Sequence, residues 1–142
     1  MPFELLSTDD FLVEEMAAHL GLSCEQVVQR EHAGDLFSYC KQSRGQQRLY
    51  PTYQVALANS FPDLLQRAKA ALEPNTVQVH CFFTQRDPDL AGLSVREVLS
   101  GRPRESLKLN SLASWLLSLP LTRRVDAVLS ALERERAHSE AW

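Results

Sequence analysis

The sequence predicts a mainly helical protein that contains one small β-hairpin. Apolar residues recur at helical spacing along most of the chain, and helix-capping residues stand where several of these segments begin. One segment, residues 36–50, instead combines strand-prone side chains with a turn signal. Of the 142 residues, 44% are hydrophobic and 23% are charged, which suits one folded domain or two very small ones.

The first helix is expected over residues 9–20. Residues 7–10 read Ser-Thr-Asp-Asp, which supplies an N-cap and places carboxylates in the first turn, where they complement the helix dipole. Apolar residues then recur every four positions up to Leu20. Gly21 follows and ends the helix.

A second helix is expected from Cys24 onward. Ser23 precedes Gln26 by three residues, which is the spacing of a capping box, and Gly34 ends the helix. Its apolar face is predicted to comprise Cys24, Val27 and Val28, and the opposite face Gln26, Gln29, Arg30 and Ala33. Two short helices joined by a turn at residues 19–23 have the layout of a helix-turn-helix.

A β-hairpin is expected after the second helix. Residues 36–40 and 48–50 are strand-prone, residues 43–45 give a turn, and Pro51 ends the second arm because it cannot donate to a sheet ladder. The chain has no acidic side chain from residue 36 to residue 62. The basic residues of this stretch are Lys41 and Arg48 on the arms and Arg44 at the tip.

The rest of the chain is predicted to be helical, with a domain boundary at Pro74. Residues 52–73 have helical spacing with a break at Pro62. The two predicted domains are residues 1–73 and residues 74–142. Further helices are predicted around residues 77–82, over 94–100 with Ser94 as cap and Gly101 as stop, over 111–119, and from Thr122 onward, with a loop at 86–89.

Several side chains of the C-terminal half are assigned to the core or to the surface by the same spacing. Phe82, Phe83 and Trp115 are predicted to lie in the core. The outer face of the last helix is predicted to hold Arg123, Arg124, Asp126, Glu133, Arg134, Glu135 and Arg136.

The two-helix unit followed by a basic hairpin predicts binding to double-stranded DNA. A recognition helix needs a narrow polar face, on which glutamine can bond adenine and arginine can bond guanine. A basic hairpin beside it, a wing, would contact phosphates and fix the register. The candidate DNA-binding residues are Gln26, Gln29, Arg30, Lys41, Arg44, Gln47 and Arg48. Glu25, Glu31 and Asp35 count against this interpretation because they would repel phosphate.

Other functional classes are not expected. Cys24, Cys40 and Cys81 form no close pair, so neither a disulfide framework nor a Cys-x-x-Cys site is predicted. The four histidines have no metal-ligand spacing, no phosphate-binding glycine loop occurs, and no catalytic residue can be named. We therefore expect a protein without metal or cofactor that is not an enzyme. The chain lacks a basic start followed by an apolar run, and lacks an apolar segment of about 20 residues, which predicts a cytoplasmic protein without a membrane span.

Two segments resemble a known family. Residues 82–99 are similar to the core of the toxin-binding domain of Xre/MbcA/ParS-type antitoxins. They combine an aromatic helix, a loop with leucine and glycine, and a serine-capped short helix. A proline usually follows the capping residue in that family, where this chain has Val95. Residues 34–36, the basic hairpin and residues 48–55 together resemble the Gly-x-Leu and Tyr-Pro-x-aromatic-Gln pattern of a DNA-reading segment that precedes this domain in some members. Together the resemblance extends over roughly residues 20–132.

The resemblance implies a bacterial, cytosolic and mostly helical protein that forms a homodimer. It implies a repressor of its own promoter that neutralises a partner toxin, commonly a RES-domain enzyme that consumes NAD. The region implied to contact the toxin is the last helix and the tail to Trp142.

Two alternatives remain open from the residues alone. Residues 1–73 contain six basic and ten acidic side chains, a net charge of −4, which favours a protein-interaction module without DNA contact. The second alternative is binding of single-stranded RNA, with Tyr39, Tyr50 and Tyr53 as stacking platforms beside Lys41 and Arg48.

Overall fold

The computed structural model describes residues 5–7, 9–40, 47–73, 75–102 and 110–140. Within them lie eight α-helices: α1 (Val13–Leu20), α2 (Cys24–His32), α3 (Tyr53–Ser60), α4 (Pro62–Leu72), α5 (Thr76–Thr84), α6 (Val95–Ser100), α7 (Ser111–Ser118) and α8 (Leu121–Glu140). The strands are β1 (Asp10–Phe11), β2 (Tyr39–Cys40), β3 (Arg48–Pro51), β4 (Arg86–Asp87) and β5 (Leu93–Ser94). The predicted mainly helical class is confirmed.

The strands form two small antiparallel sheets within the described residues. In the first sheet β3 lies between β1 and β2, and Tyr39 is opposite Leu49. The two arms predicted for the hairpin therefore pair with each other. The second sheet joins β4 to β5. The loop predicted at 86–89 is instead a strand followed by a 3-10 turn (Pro88–Leu90), because the Asp87 carboxylate accepts a hydrogen bond (2.8 Å) from the backbone N–H two residues on.

The first helix begins later than predicted, at Val13 rather than at residue 9. The preceding residues are extended and pair with β3, where Asp10 lies opposite the last residue of that strand. The Ser7 hydroxyl does not cap the helix and instead forms a hydrogen bond with the Thr52 hydroxyl (2.6 Å). Pairing with β3 satisfies backbone groups that a first helical turn would leave without partners.

Buried side chains form two clusters. The smaller cluster joins α1, α2 and β3 and comprises Met16, Ala17, Val27, Leu36 and Tyr50. The larger cluster contains side chains from both sides of Pro74, such as Leu65 of α4 and Leu132 of α8. Helix α4 packs against both α5 and α8, so the larger core is shared between the two halves of the chain.

The prediction that three aromatic side chains of the C-terminal half are buried is wrong for one of them. Phe82 and Phe83 lie in the core, whereas Trp115 is 57% exposed. Helix α7 packs on the core through Ala113 and Leu116. Each residue turns the helix by about 100°. Trp115 is therefore rotated away from both Ala113 and Leu116 and lies outside the buried face.

Arg124 does not lie on the outer face of the last helix, as predicted, but turns inward. Its Nη1 donates to the carbonyl of Val98 (2.8 Å) and its Nε donates to the carbonyl of Leu119 (3.0 Å). Both carbonyls belong to the ends of helices, where the backbone has acceptors without an intrahelical partner. The guanidinium therefore joins the ends of α6 and α7 to α8.

Candidate nucleic-acid interface

Helix α2 begins where the sequence predicts, at a complete capping box. The Ser23 hydroxyl accepts a hydrogen bond from the Gln26 N–H (3.1 Å), and the Gln26 Oε1 accepts one from the Ser23 N–H (2.9 Å). Gln26 is thus a structural residue of the helix start. Its amide oxygen is therefore engaged in the cap.

The turn before α2 is short and defined by its backbone. Gly21 adopts a left-handed conformation (φ 69°) and ends α1. The next residue, Leu22, donates its N–H to the carbonyl of Ala17 (2.9 Å). Because α2 starts at Cys24, only three residues separate the two helices. A left-handed glycine is needed here because other residues adopt this conformation at a cost.

Helix α2 exposes most of its circumference. Val27 is its one buried residue, whereas Cys24 is exposed and Val28 is 41% exposed. The predicted apolar face is therefore narrower than the sequence pattern indicates. The candidate base-reading residues Gln26, Gln29 and Arg30 are all exposed, as predicted.

Glu31 connects α2 to the β2–β3 pair. Its Oε1 accepts a hydrogen bond from the Tyr50 hydroxyl (2.6 Å), and its Oε2 accepts one from the Ser38 hydroxyl (2.5 Å). Arg48 Nη1 lies 3.7 Å from Oε2 and donates to the Ser38 hydroxyl (3.1 Å). The structure therefore brings the candidate phosphate-binding residue Arg48 against the candidate recognition helix.

Burial and the neighbouring carboxylate both raise the pKa of Tyr50. The ring is 1% exposed, and loss of solvation and then the Glu31 carboxylate raise the pKa of its hydroxyl well above the ordinary value. The hydroxyl consequently stays protonated and remains a donor to Glu31 throughout the physiological range.

The loop from α2 to β2 is fixed by a buried amide. Gln54 of α3 is fully buried. Its Oε1 accepts from the Phe37 N–H and its Nε2 donates to the Phe37 carbonyl, both at 2.9 Å. This pairing explains why a glutamine follows the Tyr-Pro-x-aromatic sequence that ends at Tyr53. The glutamine amide supplies one acceptor and one donor to the backbone of Phe37, as a neighbouring β-strand would, although Phe37 lies in a loop.

Helix α4 holds the same loop from a second direction. The Lys69 ammonium donates to the carbonyls of Gly34 and Leu36, the latter at 3.0 Å. Burial lowers the pKa of Lys69, as expected for a half-buried ammonium. Gln66 also donates to the Gly34 carbonyl (2.8 Å).

The remaining candidate residues are placed as follows. Gln47 is exposed immediately before β3. Lys41 and Arg44, the predicted cations of the hairpin arm and tip, lie outside the described residues. The structure therefore describes five of the seven candidates, of which three share α2 and Arg48 contacts Glu31 on the same helix.

The three tyrosines proposed as RNA-stacking platforms are buried. Tyr39, Tyr50 and Tyr53 are 4%, 1% and 1% exposed. Tyr39 donates to Asp10 (2.6 Å) and stacks on His80, with ring centroids 4.3 Å apart. A base has no access to these rings, so the platform hypothesis is wrong for them.

Sequence reasoning missed the roles of Glu31 and Gln54. A signal for Glu31 existed in the tyrosines of the hairpin, because a buried tyrosine hydroxyl needs an acceptor from a neighbouring element. The spacing between Gln54 and Phe37 gives no comparable signal, since it depends on how α3 packs beside the loop.

Neither a family model nor a curated protein nor a solved structure matches this chain. Across the described parts of the chain, no helix combines the length and apolar character required to cross a bilayer. In the same residues, no group of three or more His, Cys, Asp or Glu side chains is arranged to hold a metal ion.

Proposed function

We propose that the protein is a DNA-binding transcriptional regulator that reads duplex DNA with α2. The observation on which this rests is the exposed polar face of α2, which is joined through Glu31 to Arg48, the first residue of β3. A reading helix and a phosphate contact that are held together in this way define both position and register on a duplex.

Helix α2 has suitable dimensions and side chains for this role. An α-helix with its side chains is about 10–12 Å in diameter, comparable with the width of a major groove, about 12 Å, and the nine residues of α2 give it a length of about 13 Å. Gln29 and Arg30 supply the outward-facing amide and guanidinium that recognise adenine and guanine. Gln26 contributes its Nε2, and Arg48 and Gln47 contact phosphate.

The resemblance of residues 34–55 and 82–99 extends the proposal to an antitoxin. In this role the homodimeric protein represses its own promoter, and the last helix and tail bind a RES-type toxin. The cytoplasm of a bacterium is the corresponding location.

A second candidate is a protein-interaction module that does not contact DNA. Two observations favour it: the net charge of −4 over residues 1–73, and the exposed apolar side chains of α7, Leu112 and Trp115. A domain with this function would still need α2 and Arg48 for its fold, so their geometry alone does not distinguish the two functions.

Selection of random duplexes by the purified protein near physiological salt separates these candidates. Enrichment of a sequence motif, in particular an inverted repeat, is the result expected of the regulator. Recovery of no motif by a folded protein would favour the interaction module. The salt concentration must not be lower than physiological, because non-specific contacts strengthen steeply as the salt concentration falls.

Three arginine variants test the assigned roles on the selected duplex. Arg30→Ala should weaken binding by about 1–3 kcal/mol and relax the preference at one base pair. Arg48→Ala should weaken binding to all sequences and reduce the salt slope by about one. Arg67→Ala is the matched control, because it removes the same charge from the groove between α4 and α8. An equal loss in all three variants would contradict the assignment.

A further inference from the structure

Helix α2 turns one side fully to solvent. Val27 is the buried residue of this helix, and at about 100° per residue Glu25 and Gln29 lie almost directly opposite to it. Val28 and His32 lie beside them, and all four side chains are exposed. Their spacing of i, i+3, i+4 and i+7 gathers these four residues on a single side of the helix. In the proposed complex this side, the outer face of α2, enters the groove deepest.

The outer face carries groups that distinguish base pairs. Gln29 offers an amide, Val28 offers an apolar group that is 41% exposed, and Glu25 offers a carboxylate. In the major groove an amide suits adenine, and an apolar group suits the methyl group of thymine. The carboxylate of Glu25 therefore decides what else the outer face can recognise.

Cytosine is the base whose major-groove edge suits a carboxylate. An ionised carboxylate accepts hydrogen bonds and donates none. In the major groove guanine presents two acceptors, thymine presents one acceptor, and adenine presents an acceptor beside its amino group. Cytosine presents its N4 amino group, which is a donor. A carboxylate that reaches the bases is therefore attracted by cytosine and repelled by the acceptors of guanine and thymine.

The position of Glu25 on the helix keeps its carboxylate away from phosphate. Phosphates border both sides of a major groove that is about 12 Å wide, so the centre of the inserted face is the point farthest from them. Glu25 lies near that centre. Glu31, which lies 3.7 Å from Arg48, is about 120° away around the helix. The phosphate contact proposed for Arg48 is therefore made at the flank of α2, whereas Glu25 faces the bases.

We propose that Glu25 determines the specificity of α2 by accepting a hydrogen bond from the N4 amino group of a cytosine. The inference rests on the proposed function, since α2 must lie in a major groove for Glu25 to reach a base. It adds a base that neither the glutamines nor Arg30 recognises. It also gives Glu25 a role beyond complementing the dipole of α2, in whose first turn it lies.

The substitution Glu25→Gln tests this role, because it keeps the size of the side chain and replaces the carboxylate by an amide that suits adenine. Random duplexes are selected by the wild-type full chain and by the variant near physiological salt. The wild-type motif should contain a cytosine at a base pair other than the one that responds to Arg30→Ala. In anisotropy titrations, replacing this C·G pair by A·T should weaken wild-type binding at least about tenfold, but binding of the variant by less than about twofold.

Glu14→Gln is the matched control for the loss of charge. Glu14 is the second residue of α1, as Glu25 is of α2, and it is also exposed. The control removes the same charge from the same place in a helix, so its preference for cytosine should equal that of the wild type. Far-UV circular dichroism establishes that both variants remain folded.

Three results would overturn the role of Glu25. They are a wild-type motif without such a cytosine, a Glu25→Gln variant that keeps the preference, and an equal loss of the preference in Glu14→Gln. A kept preference together with tighter binding of Glu25→Gln to every duplex would show that Glu25 only repels phosphate. A folded wild type that selects no motif would refute the proposed function as well, and this outcome is distinct from the other three.

Discussion

The buried amide of Gln54 allows the role of the loop between α2 and β2 to be tested quantitatively. Its two hydrogen bonds, both 2.9 Å, satisfy the N–H and the carbonyl of Phe37, a residue that is 1% exposed. Gln54→Met keeps the length and approximate volume of the side chain while removing both hydrogen bonds. Any loss of stability then reports on the two backbone groups left behind.

The expected loss follows from the number of groups without partners. Each buried backbone group that loses its partner costs about 1–3 kcal/mol, and the more apolar methionine returns roughly 1 kcal/mol through burial. The free energy of unfolding should therefore fall by about 3 kcal/mol, a large part of the ~5–15 kcal/mol typical of a domain. Urea unfolding followed by far-UV circular dichroism, with linear extrapolation to water, measures this quantity.

Gln66→Met provides the matched control for the same loop. Gln66 is exposed and donates to the carbonyl of Gly34, which also accepts a hydrogen bond from Lys69. The carbonyl therefore keeps a partner, and the loss should stay below about 0.5 kcal/mol. Equal losses in the two variants, or a loss below about 1 kcal/mol for Gln54→Met, would refute the reasoning.

Two further predictions concern Gly101 and Tyr50. Both Gly21 (φ 69°) and Gly101 (φ 75°) are left-handed, but an added Cβ meets nothing within 4 Å at Gly21 and lies 2.8 Å from Arg124 Nη1 at Gly101. Gly21→Ala should cost about 1–2 kcal/mol, and Gly101→Ala should cost measurably more in urea unfolding; the reverse order would contradict the role of Arg124. Burial and Glu31 raise the pKa of Tyr50. The contribution of this hydroxyl to the free energy of unfolding is therefore complete below the pKa of about 10 that tyrosine has in the unfolded chain, and it is lost as the pH rises further. Tyr50→Phe should lose about 1–2 kcal/mol at neutral pH and show a shallower decline above pH ~10, whereas an unchanged decline would exclude this source.

Local signals predicted the elements that depend on nearby residues. The capping box predicted at Ser23 and the cap predicted at Ser94 place the starts of α2 and α6 correctly, because cap and helix lie within three residues of each other. The pairing of β2 with β3 was predictable because the sequence has a turn signal between two strand-prone segments. The mainly helical class is also confirmed, because the spacing that predicts a helix lies within one short segment of the chain.

Features that depend on distant partners were not predictable. Asp10 belongs to a strand because β3 lies beside it, which overrides the capping pattern around it. Trp115 and Arg124 have the spacing of a core residue and a surface residue, respectively. Trp115 is exposed because the core lies beside another face of α7. Arg124 turns inward because the ends of α6 and α7 lie beside α8. A sequence pattern gives the faces of a helix, but tertiary packing decides which face is buried.

Glu31 illustrates how a residue that counts against DNA binding in the sequence is compatible with it in the structure. Its side chain is 21% exposed, and its carboxylate accepts two hydroxyl hydrogen bonds and lies 3.7 Å from Arg48 Nη1, so its charge has partners within the protein. The guanidinium has five N–H donors, and its contacts with Ser38 and Glu31 use Nη1. In the proposed complex the other donors of Arg48 reach a phosphate without breaking the link to α2. That link and the Gln54 amide fix the β2–β3 pair relative to α2. In the proposed complex, a phosphate contact at Arg48 would therefore also set the depth and register at which α2 meets the bases.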